Sequence, residues 1–298
     1  MKLEAGGTAV VTGSASGIGA ALAHRFADAG MNVVLADVDD DALASVSAAL
    51  EAKGVATLVR HTDVSLESDV NELATAAAER FGRINLVCNN AGVGTRSDPW
   101  FGPLSAWEWV IGVNYLGVVH GVRAFLPHLV LGGGGHIVNT ASLAGLTPGI
   151  DPIYDSTKHA VVGLTEGLYN AMRVAGLPVG VSILCPGWVN TGIADADRNW
   201  PDRLGDRPAA GAASDVMEPH LRRALAEGLT PAAVADLVAT AVEDDRYWIF
   251  PHADWMPLLT RRWDGIAEGI NPTPPDQVPG MPPMEQIAQE VRAALGLS

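Results

Sequence analysis

The sequence predicts an α/β protein with a doubly wound parallel sheet of about seven strands and helices on both faces. Short runs rich in Val and Ile alternate with longer stretches whose apolar residues recur at helical spacing. Several of the short runs lack the polar alternation of a half-exposed strand, which is typical of a sheet covered on both faces. The chain has 298 residues, 48 % apolar and 18 % charged, so disordered and fibrous classes are excluded.

The elements follow from these patterns in chain order. The predicted strands, which are short and rich in β-branched residues, are 8–12, 32–37, 55–60, 84–88, 136–141, 179–185 and 247–250. The predicted helices, which lie between them, are 18–29, 41–53, 66–81, 113–131, 152–174 and 231–244. Strands and helices that alternate in this way are joined by right-handed crossovers into one parallel sheet.

Two segments interrupt the alternation. Residues 192–229 show no continuous apolar face and contain several glycines, so we interpret them as a mobile substrate lid; a permanently ordered excursion or a subunit contact is the alternative. Residues 251–298 are rich in proline and end in an amphipathic helix near 285–295. We expect one domain, 1–250, and a C-terminal extension, 251–298, that packs on the same domain or a neighbouring subunit or else binds substrate.

The charge and cysteine content exclude several classes of partner. Nineteen Lys and Arg stand against 34 Asp and Glu, a formal net charge of −15, so neither nucleic acid nor an anionic membrane is an expected partner. No uninterrupted apolar run approaches 18 residues, and the N-terminus lacks a signal-peptide pattern. Cys88 and Cys185 form no disulfide or metal pattern, and the histidines have no metal-ligand spacing. We expect a cytoplasmic protein without a metal.

A glycine-rich loop lies between the first predicted strand and the first predicted helix. It reads Thr12-Gly13-Ser14-Ala15-Ser16-Gly17-Ile18-Gly19. Glycines let the backbone approach a pyrophosphate, and the helix N-terminus offers free N–H groups and the positive end of its dipole. Such a pattern also occurs in purely structural turns, but its position after the first strand favours a dinucleotide site.

Asp37 ends the second predicted strand, 18 residues after Gly19. A carboxylate at this place accepts hydrogen bonds from the adenosine ribose and repels a 2′-phosphate. The nearby loop positions are uncharged where an NADP site would carry a basic residue, so the sequence predicts NAD rather than NADP. A helix cap is the alternative role for Asp37; we assign capping to the aspartates that follow it at 39–41.

Tyr154 and Lys158 lie four residues apart in the predicted helix 152–174 and so share one face. A tyrosine pKa of ~10 is too high for an efficient base at neutral pH, but a nearby ammonium favours the phenolate, so we expect Lys158 to lower the pKa of Tyr154. Ser142 follows the fifth predicted strand, where its hydroxyl can hold a carbonyl or alkoxide oxygen. The alternative for Tyr154 and Lys158 is that they form only an exposed aromatic–cation pair without a catalytic role.

With these motifs the sequence resembles the classical short-chain dehydrogenase/reductase family. The matching motifs, in order over residues 8–191, are Thr12-Gly-x-x-x-Gly-x-Gly19, Asp63-Val64, Asn89-Asn90-Ala91-Gly92, Asn114, Ser142, Tyr154-x-x-x-Lys158 and Pro186-Gly187-x-Val189-x-Thr191. The resemblance implies a Rossmann fold, NAD as cofactor, a small-molecule alcohol or ketone as substrate, and a homo-oligomer, either a dimer or a tetramer.

The resemblance also implies a role for each matched residue. Tyr154 would be the general acid/base, and Lys158 would lower its pKa and bind the nicotinamide ribose. Ser142 would position the substrate oxygen, and Asn114 would hold a water in a proton relay. The implied NAD-binding residues are Gly13, Ser16, Gly17, Ile18, Gly19, Asp37, Asp63, Val64, Asn90, Gly92, Tyr154, Lys158, Pro186, Gly187, Val189 and Thr191.

Within that set the resemblance assigns parts of the cofactor. Asp63 and Val64 would contact adenine, and Asn90 would line the adenosine ribose. Val189 and Thr191 would fix the nicotinamide carboxamide.

The sequence departs from the family pattern in three places. Asp155-Ser156-Thr157 replace the usual small residues before the lysine, and we expect them to face away from Tyr154. Ser142 and Tyr154 are separated by one residue fewer than is common. The usual glycine-rich ending after the last strand is absent, and residues 251–298 stand in its place.

The substrate is less defined by the sequence. Trp188 stands between Gly187 and Val189, so we predict that it lines the substrate pocket together with Ser142 and Tyr154. Few cationic residues lie near, which favours a neutral, apolar or aromatic secondary alcohol or ketone. The loop 140–148 and the extension also loosely resemble dehydrogenases of aryl carbinols.

Two other functions stay open at this stage. An NAD-dependent epimerase is disfavoured because its glycine spacing differs from that of residues 12–19. A non-catalytic NAD-binding regulator would be expected to lack Tyr154, Lys158 or Ser142, and all three are present.

Overall fold

Seven parallel strands form one sheet in the computed structural model, which describes residues 1–147, 149 and 151–297. They are Thr8–Thr12 (β1), Asn32–Asp37 (β2), Thr57–His61 (β3), Leu86–Asn89 (β4), Gly135–Thr140 (β5), Val179–Leu184 (β6) and Trp248–Ile249 (β7). Their spatial order is β3-β2-β1-β4-β5-β6-β7. The predicted fold class and all seven predicted strands are confirmed, with ends displaced by no more than two residues.

Ten α-helices accompany this sheet within the described residues. They are Gly17–Asp28 (α1), Asp40–Glu51 (α2), Glu67–Phe81 (α3), Leu104–Ile111 (α4), Gly117–Leu131 (α5), Pro152–Ala175 (α6), Ala212–Ala226 (α7), Pro231–Glu243 (α8), Met256–Ala267 (α9) and Met284–Ala294 (α10). The sequence patterns predicted seven of them and missed α4, α7 and α9.

The core lies on both faces of the sheet. Phe26 of α1, Leu43 of α2 and Val238 of α8 pack with one face, and all three are fully buried. Leu73 of α3 and Phe125 of α5 pack with the opposite face, together with α6. Because both faces are covered, β1 and β4 are buried along their whole length, which explains why these strands lack polar alternation.

One long helix runs from residue 104 to residue 131, where the sequence predicted only 113–131. Its two α-helical parts, α4 and α5, join through a π-helical turn at Gly112–Leu116. By length and composition alone this helix could cross a membrane, although it contains no uninterrupted run of 18 apolar residues. Half of an apolar 18-residue stretch within this helix is buried in the protein, and Phe125 and Leu129 pack in the core.

The excursion at 192–229 is more ordered in its packing than the sequence indicated. It contains 3₁₀ turns at Gly192–Asn199 and Asp202–Leu204, followed by α7. The expectation of no apolar face is wrong for α7, because Ala224 and Leu225 are buried. Their small and apolar side chains had been hidden among charged neighbours in the sequence.

The C-terminal extension packs on the same chain. α10 lies against α7, and Ile287 forms a buried cluster with Ala224 and Met281. His220 of α7 and Glu290 of α10 approach to 2.9 Å at the edge of this cluster. α7 of the excursion therefore packs on α10 of the extension; the lid role and the domain boundary at 250 stay predictions.

Candidate active site

The carboxyl edge of the sheet brings together the residues that the sequence singled out. β1 pairs with β2 on one side and with β4 on the other, so the winding of the chain reverses between β1 and β4. Ligands of doubly wound sheets bind outside the carboxyl ends of the strands at this reversal. The glycine-rich loop after β1, Asp37 at the end of β2, Asn90 after β4, Ser142 after β5 and Pro186 after β6 all lie along this edge.

The glycine-rich loop leaves no room for side chains. Gly13 has φ +67°, and a Cβ there would lie 2.7 Å from the Cα atom of Ala91. A Cβ on Gly19 would overlap the carbonyl oxygen of Gly13. Ser16 precedes α1, but its side chain makes no capping hydrogen bond, so the first N–H groups of α1 have no side-chain acceptor there. The loop and helix therefore fit the pyrophosphate of a dinucleotide.

The Asp37 carboxylate holds the glycine-rich loop in place. One of its oxygens accepts a hydrogen bond from the Ala15 N–H (3.0 Å), and the other accepts from the Val38 N–H (2.8 Å). Capping of α2 falls to Asp39, which accepts from the Ala42 N–H at 3.1 Å. As the sequence predicted, Asp37 is not the cap of this helix, and its carboxylate lies between β2 and the loop.

Asn90 joins the ends of three strands. Its backbone N–H donates to Thr12 Oγ1 (3.0 Å) and its side-chain amide donates to the Thr12 carbonyl (3.1 Å). The Thr140 hydroxyl donates to the amide oxygen of Asn90 (3.3 Å). Asn90 therefore fixes the floor of the cleft, and its predicted contact with the adenosine ribose stays a prediction.

Asp63 and Val64 lie where β3 leads into α3, and the excursion reaches this pair. Arg203 forms an ion pair with Asp63 at 3.1 Å and donates to the Ser65 hydroxyl at 2.6 Å. Val64 is buried against Gly117 at the start of α5. Asp63, one of the two residues that the resemblance places at adenine, is thus in contact with Arg203 of the excursion.

Lys158 and Tyr154 share one face of α6, as the sequence predicted. α6 begins at Pro152 because Asp151 caps it, accepting a hydrogen bond from the Tyr154 N–H (3.1 Å). The Lys158 ammonium lies 5.5 Å from the centroid of the Tyr154 ring and donates to the Thr140 carbonyl at 3.0 Å. Lys158 is only 2 % exposed, so its charge sits inside the site.

The expected lowering of the Tyr154 pKa is wrong for the protein alone. Burial raises the pKa of Tyr154 above its usual value, and the nearby Ser142 hydroxyl opposes this rise. Burial also lowers the pKa of Lys158 to about 8. The physical reason is that both groups are desolvated together, and removal from water disfavours the charged form of each.

Ser142 connects the ends of β5 and β6. Its hydroxyl donates to the Pro186 carbonyl (3.3 Å) and accepts from the Ala144 N–H (3.1 Å). These two contacts fix the oxygen at the start of the loop that leads to α6. Ser142 therefore lies beside Tyr154 with its hydroxyl oriented by the backbone.

Asn114 lies in the π-helical turn and is completely buried. Its amide accepts from the Val93 N–H (2.8 Å) and donates to the Val93 carbonyl (2.9 Å) and to the Thr157 hydroxyl (3.2 Å). Thr157 in turn donates to the Tyr154 carbonyl (2.7 Å). Asn114 thus joins the segment after β4 to α6, close to the predicted catalytic pair; its water-holding role stays a prediction.

Residues 155–157, which the sequence predicts to face away from Tyr154, make contacts that the sequence did not predict. Thr157 makes the contacts with Asn114 just described, and Asp155 is 6 % exposed. Asp155 accepts a hydrogen bond from the Gly149 N–H (2.8 Å), which ties the loop after β5 to α6. Burial, with a contribution from nearby Asp151, raises the pKa of Asp155 to about 7. Their departure from the small residues of the family was the available signal.

The segment after β6 continues along the same edge. Pro186 accepts the Ser142 hydroxyl, and buried Val189 pairs with Leu229 in an isolated parallel bridge. Thr191 packs over the glycine-rich loop, 3.1 Å from where a Cβ on Gly17 would stand. The sequence motif at 186–191 therefore borders the start of α1.

Trp188 packs against the extension. Its indole N–H donates to the Pro279 carbonyl (2.7 Å), and its ring meets Trp255 edge-to-face with centroids 5.6 Å apart. Gly280 allows this contact, because a Cβ there would stand 3.1 Å from the indole. Contact between Trp188 and substrate stays a prediction. Elsewhere in the described chain, no group of three His, Cys, Asp or Glu side chains is placed to hold a metal ion.

Comparison with known proteins identifies the family. A family model for short chain dehydrogenases matches residues 7–202. The chain belongs to this family. A short-chain dehydrogenase/reductase from Burkholderia phymatum, whose structure is a complex with NAD, is similar with a TM-score of 0.90 and 43 % identity, over 93 % of this chain and 100 % of that one. The predicted family, Rossmann fold and oxidoreductase class are confirmed.

Two curated relatives within the family cover nearly the whole chain. A 1-deoxy-11-beta-hydroxypentalenate dehydrogenase from Streptomyces exfoliatus is 36 % identical over 90 % of this chain and 90 % of the relative. A C alpha-dehydrogenase from Sphingobium sp. is 29 % identical over 90 % of this chain and 88 % of the relative. The similarity therefore extends well beyond residue 202, where the match to the family model ends.

Proposed function

We propose that this short-chain dehydrogenase interconverts a secondary alcohol and a ketone with NAD(H), using Tyr154 as general acid/base. The observation that carries the proposal is the meeting of Ser142, Tyr154 and buried Lys158 beside the glycine-rich loop at one edge of the sheet. NAD, when bound, takes up or returns the hydride. A hydroxyl that holds oxygen and a phenol that moves its proton complete the requirements of this reaction.

NAD is the cofactor predicted from the sequence, and the family and its NAD-bound member agree with it. The glycine-rich loop and the uncapped start of α1 fit a pyrophosphate, and Asp37 stands where a 2′-phosphate of NADP would meet a negative charge. These are properties of this chain's own residues.

The chain's own groups supply the proton chemistry. During oxidation Tyr154 takes the hydroxyl proton of the alcohol, and during reduction it returns a proton to the carbonyl oxygen. Ser142 holds that oxygen by a hydrogen bond once its single O–H turns from the Pro186 carbonyl to the substrate, while the Ala144 N–H keeps the Ser142 oxygen in place. The buried Lys158 ammonium stabilises negative charge on the phenol oxygen, because a nearby positive charge favours the ionised form.

We further propose that the substrate is a neutral, apolar or aromatic alcohol or ketone. The names of two relatives describe dehydrogenases of a hydroxypentalenate and of a Cα position, which supports a secondary alcohol; the hydroxypentalenate is a carboxylate, so the neutral charge rests on the few cationic residues near the site in this chain. A cytoplasmic homo-oligomer, a dimer or a tetramer, is also part of the proposal; two free, buried cysteines, Cys88 and Cys185, agree with a reducing compartment.

The test is to incubate the protein with NAD and a panel of secondary alcohols, and with NADH and the matching ketones. The absorbance of NADH measures turnover in both directions. We expect turnover of aryl or terpenoid alcohols by the wild-type protein and none by the Tyr154→Phe variant. An epimerase would rearrange substrate with no net NADH, and a regulator would bind NADH with no turnover of any member. Either result contradicts the proposal.

A further inference from the structure

His252 contacts the segment after β6 through both of its ring nitrogens. Nδ1 lies 3.0 Å from the Gly187 N–H, and Nε2 lies 2.9 Å from the Trp188 carbonyl oxygen. A backbone N–H only donates and a carbonyl only accepts, so these partners fix the tautomer. His252 is neutral in this arrangement, with its proton on Nε2, and it is hydrogen-bonded to both residues of the Gly187–Trp188 dipeptide.

These hydrogen bonds also fix the orientation of one backbone N–H, that of Val189. The Trp188 carbonyl also accepts from the Leu229 N–H (3.0 Å), so two donors hold it from one side. The Val189 N–H belongs to the same peptide unit, which is planar and trans, and therefore points away from those donors. No hydrogen bond among the described residues uses this Val189 N–H.

The surrounding packing keeps the imidazole in place. A Cβ on Gly187 would stand 3.0 Å from the Trp255 ring and 3.2 Å from the His252 ring, so both rings lie directly on this glycine. Trp255 is 6 % exposed and meets Trp188 edge-to-face. His252 therefore has little room to turn away from the dipeptide.

We propose that His252 is a positioning residue for the nicotinamide end of the cofactor: by holding the Trp188 carbonyl, it aims the Val189 N–H at the carboxamide. This inference rests on the proposed NAD site and deepens it, because it makes the start of the C-terminal extension part of that site. The extension thus has a defined task in place of the glycine-rich ending that the family usually carries.

The test compares two ligands that differ at the nicotinamide end, by calorimetric measurement of binding. His252→Phe keeps a ring but removes both hydrogen bonds, so NADH should bind about tenfold more weakly, the effect of losing one well-placed hydrogen bond. ADP-ribose, which lacks the nicotinamide, should bind as it does to the wild type. ADP-ribose also reports that the variant is folded.

A rescue variant separates positioning from packing. His252→Gln retains an N–H donor at the place of Nε2 and should recover most of the NADH affinity. Unchanged NADH binding by His252→Phe, equal weakening of NADH and ADP-ribose, or failure of the Gln rescue would each overturn the proposal. Since only binding is measured, a failed search for an alcohol substrate would leave this result standing on its own.

Discussion

At the scale of single residues, the pKa shifts of Tyr154 and Lys158 determine which proton transfer the site is ready to make at neutral pH. Burial raises the pKa of Tyr154, so at neutral pH the phenol carries its proton. Burial lowers the pKa of Lys158 only to about 8, so at pH 7 the ammonium keeps its charge. This pairing suits donation of a proton to a ketone, whereas oxidation of an alcohol requires the phenolate.

The first prediction concerns this proton. We expect kcat for alcohol oxidation to rise as pH increases from 6 to about 8, because the base form of Tyr154 becomes more populated, and to gain less above the pKa of Lys158, where the ammonium loses its charge. We expect Tyr154→Phe to lose nearly all turnover, at least about a hundredfold as for loss of a general acid/base, while NADH binds almost as before. Pre-steady-state rates over a pH series measure both. Substantial activity in Tyr154→Phe would remove the residue from its role.

The second prediction concerns Asp37. Replacing it by Ser removes an acceptor and a repulsive charge, so NAD binding should weaken by about tenfold or more while NADP binding changes little or improves. The affinities of both dinucleotides for both proteins provide the measurement. Asp39→Ser is the matched control, because that change touches the cap of α2 instead. Equal use of NADP by the wild type would contradict the assignment.

The third prediction concerns Asp155, whose pKa is raised from 3.8 to about 7. Below pH 3.8 the folded and unfolded states both hold the proton. As pH rises from 3.8 to about 7, only the unfolded state releases the Asp155 proton. The free energy of unfolding therefore falls with rising pH, by up to about 4 kcal/mol at 1.36 kcal/mol per pH unit.

Asp155→Asn should abolish this loss. The variant should match the wild type near pH 4 and exceed its stability near pH 8, because an amide oxygen still accepts the Gly149 N–H. Urea unfolding at both pH values is the measurement. Asp155→Ala, which lacks the acceptor, should be less stable than Asp155→Asn at either pH. A wild-type stability that does not fall over this range would show that the buried carboxyl costs nothing.

At the scale of elements, the excursion divides into two parts of different character. α7 is held by its buried contact with α10, whereas residues 199–211 contain the short 3₁₀ turn Asp202–Leu204, which has no buried residue. Residues 199–211 contact the rest of the protein at Asp63 through the Arg203 ion pair. Trp200 and Leu204 are only partly buried where they pack on the core, Trp200 edge-to-face on Trp109 at 5.1 Å, so opening breaks these contacts but no fully buried ones in Asp202–Leu204.

The fourth prediction follows from this division. We expect hydrogen exchange in residues 199–211 to slow when NAD and a substrate analogue bind, while α7 exchanges slowly in both states. Mass spectrometry of peptides from the two parts gives the comparison. Arg203→Gln should weaken the protection of 199–211 without affecting α7. Strong, equal protection of 199–211 with and without ligands would end the lid hypothesis.

The sequence predicted those elements whose patterns are local. β1 to β6 are apolar runs between clear breaks, and Tyr154–Lys158 is a spacing within one helix. α4 was missed because its tryptophans lie among loop-like residues and its apolar side meets α6 only in the fold. His252 and Arg203 were missed for the same reason: their partners lie 65 and 140 residues away, where no spacing rule reaches.

At the scale of the whole molecule, the net charge of −15 opposes the compact state. Between about 0.01 and 0.1 M salt, the Debye length shrinks from about 30 to about 10 Å, so repulsion between distant carboxylates fades. The fifth prediction is a higher Tm at the higher salt concentration, by about 1.6 °C for each kcal/mol of repulsion removed. Calorimetry with sodium chloride measures it, and a lower Tm would show that ion pairs outweigh repulsion.

The packing of α10 on α7 has a consequence for the order in which the protein folds during synthesis. During synthesis the ribosome releases β1 to β7 before residues 251–297, so the sheet is free to collapse first. Trp188 stays uncovered until Trp255 and Pro279 have emerged. If His252 positions the nicotinamide end as proposed, a nascent chain with a complete sheet would still lack that part of the site until the extension had packed.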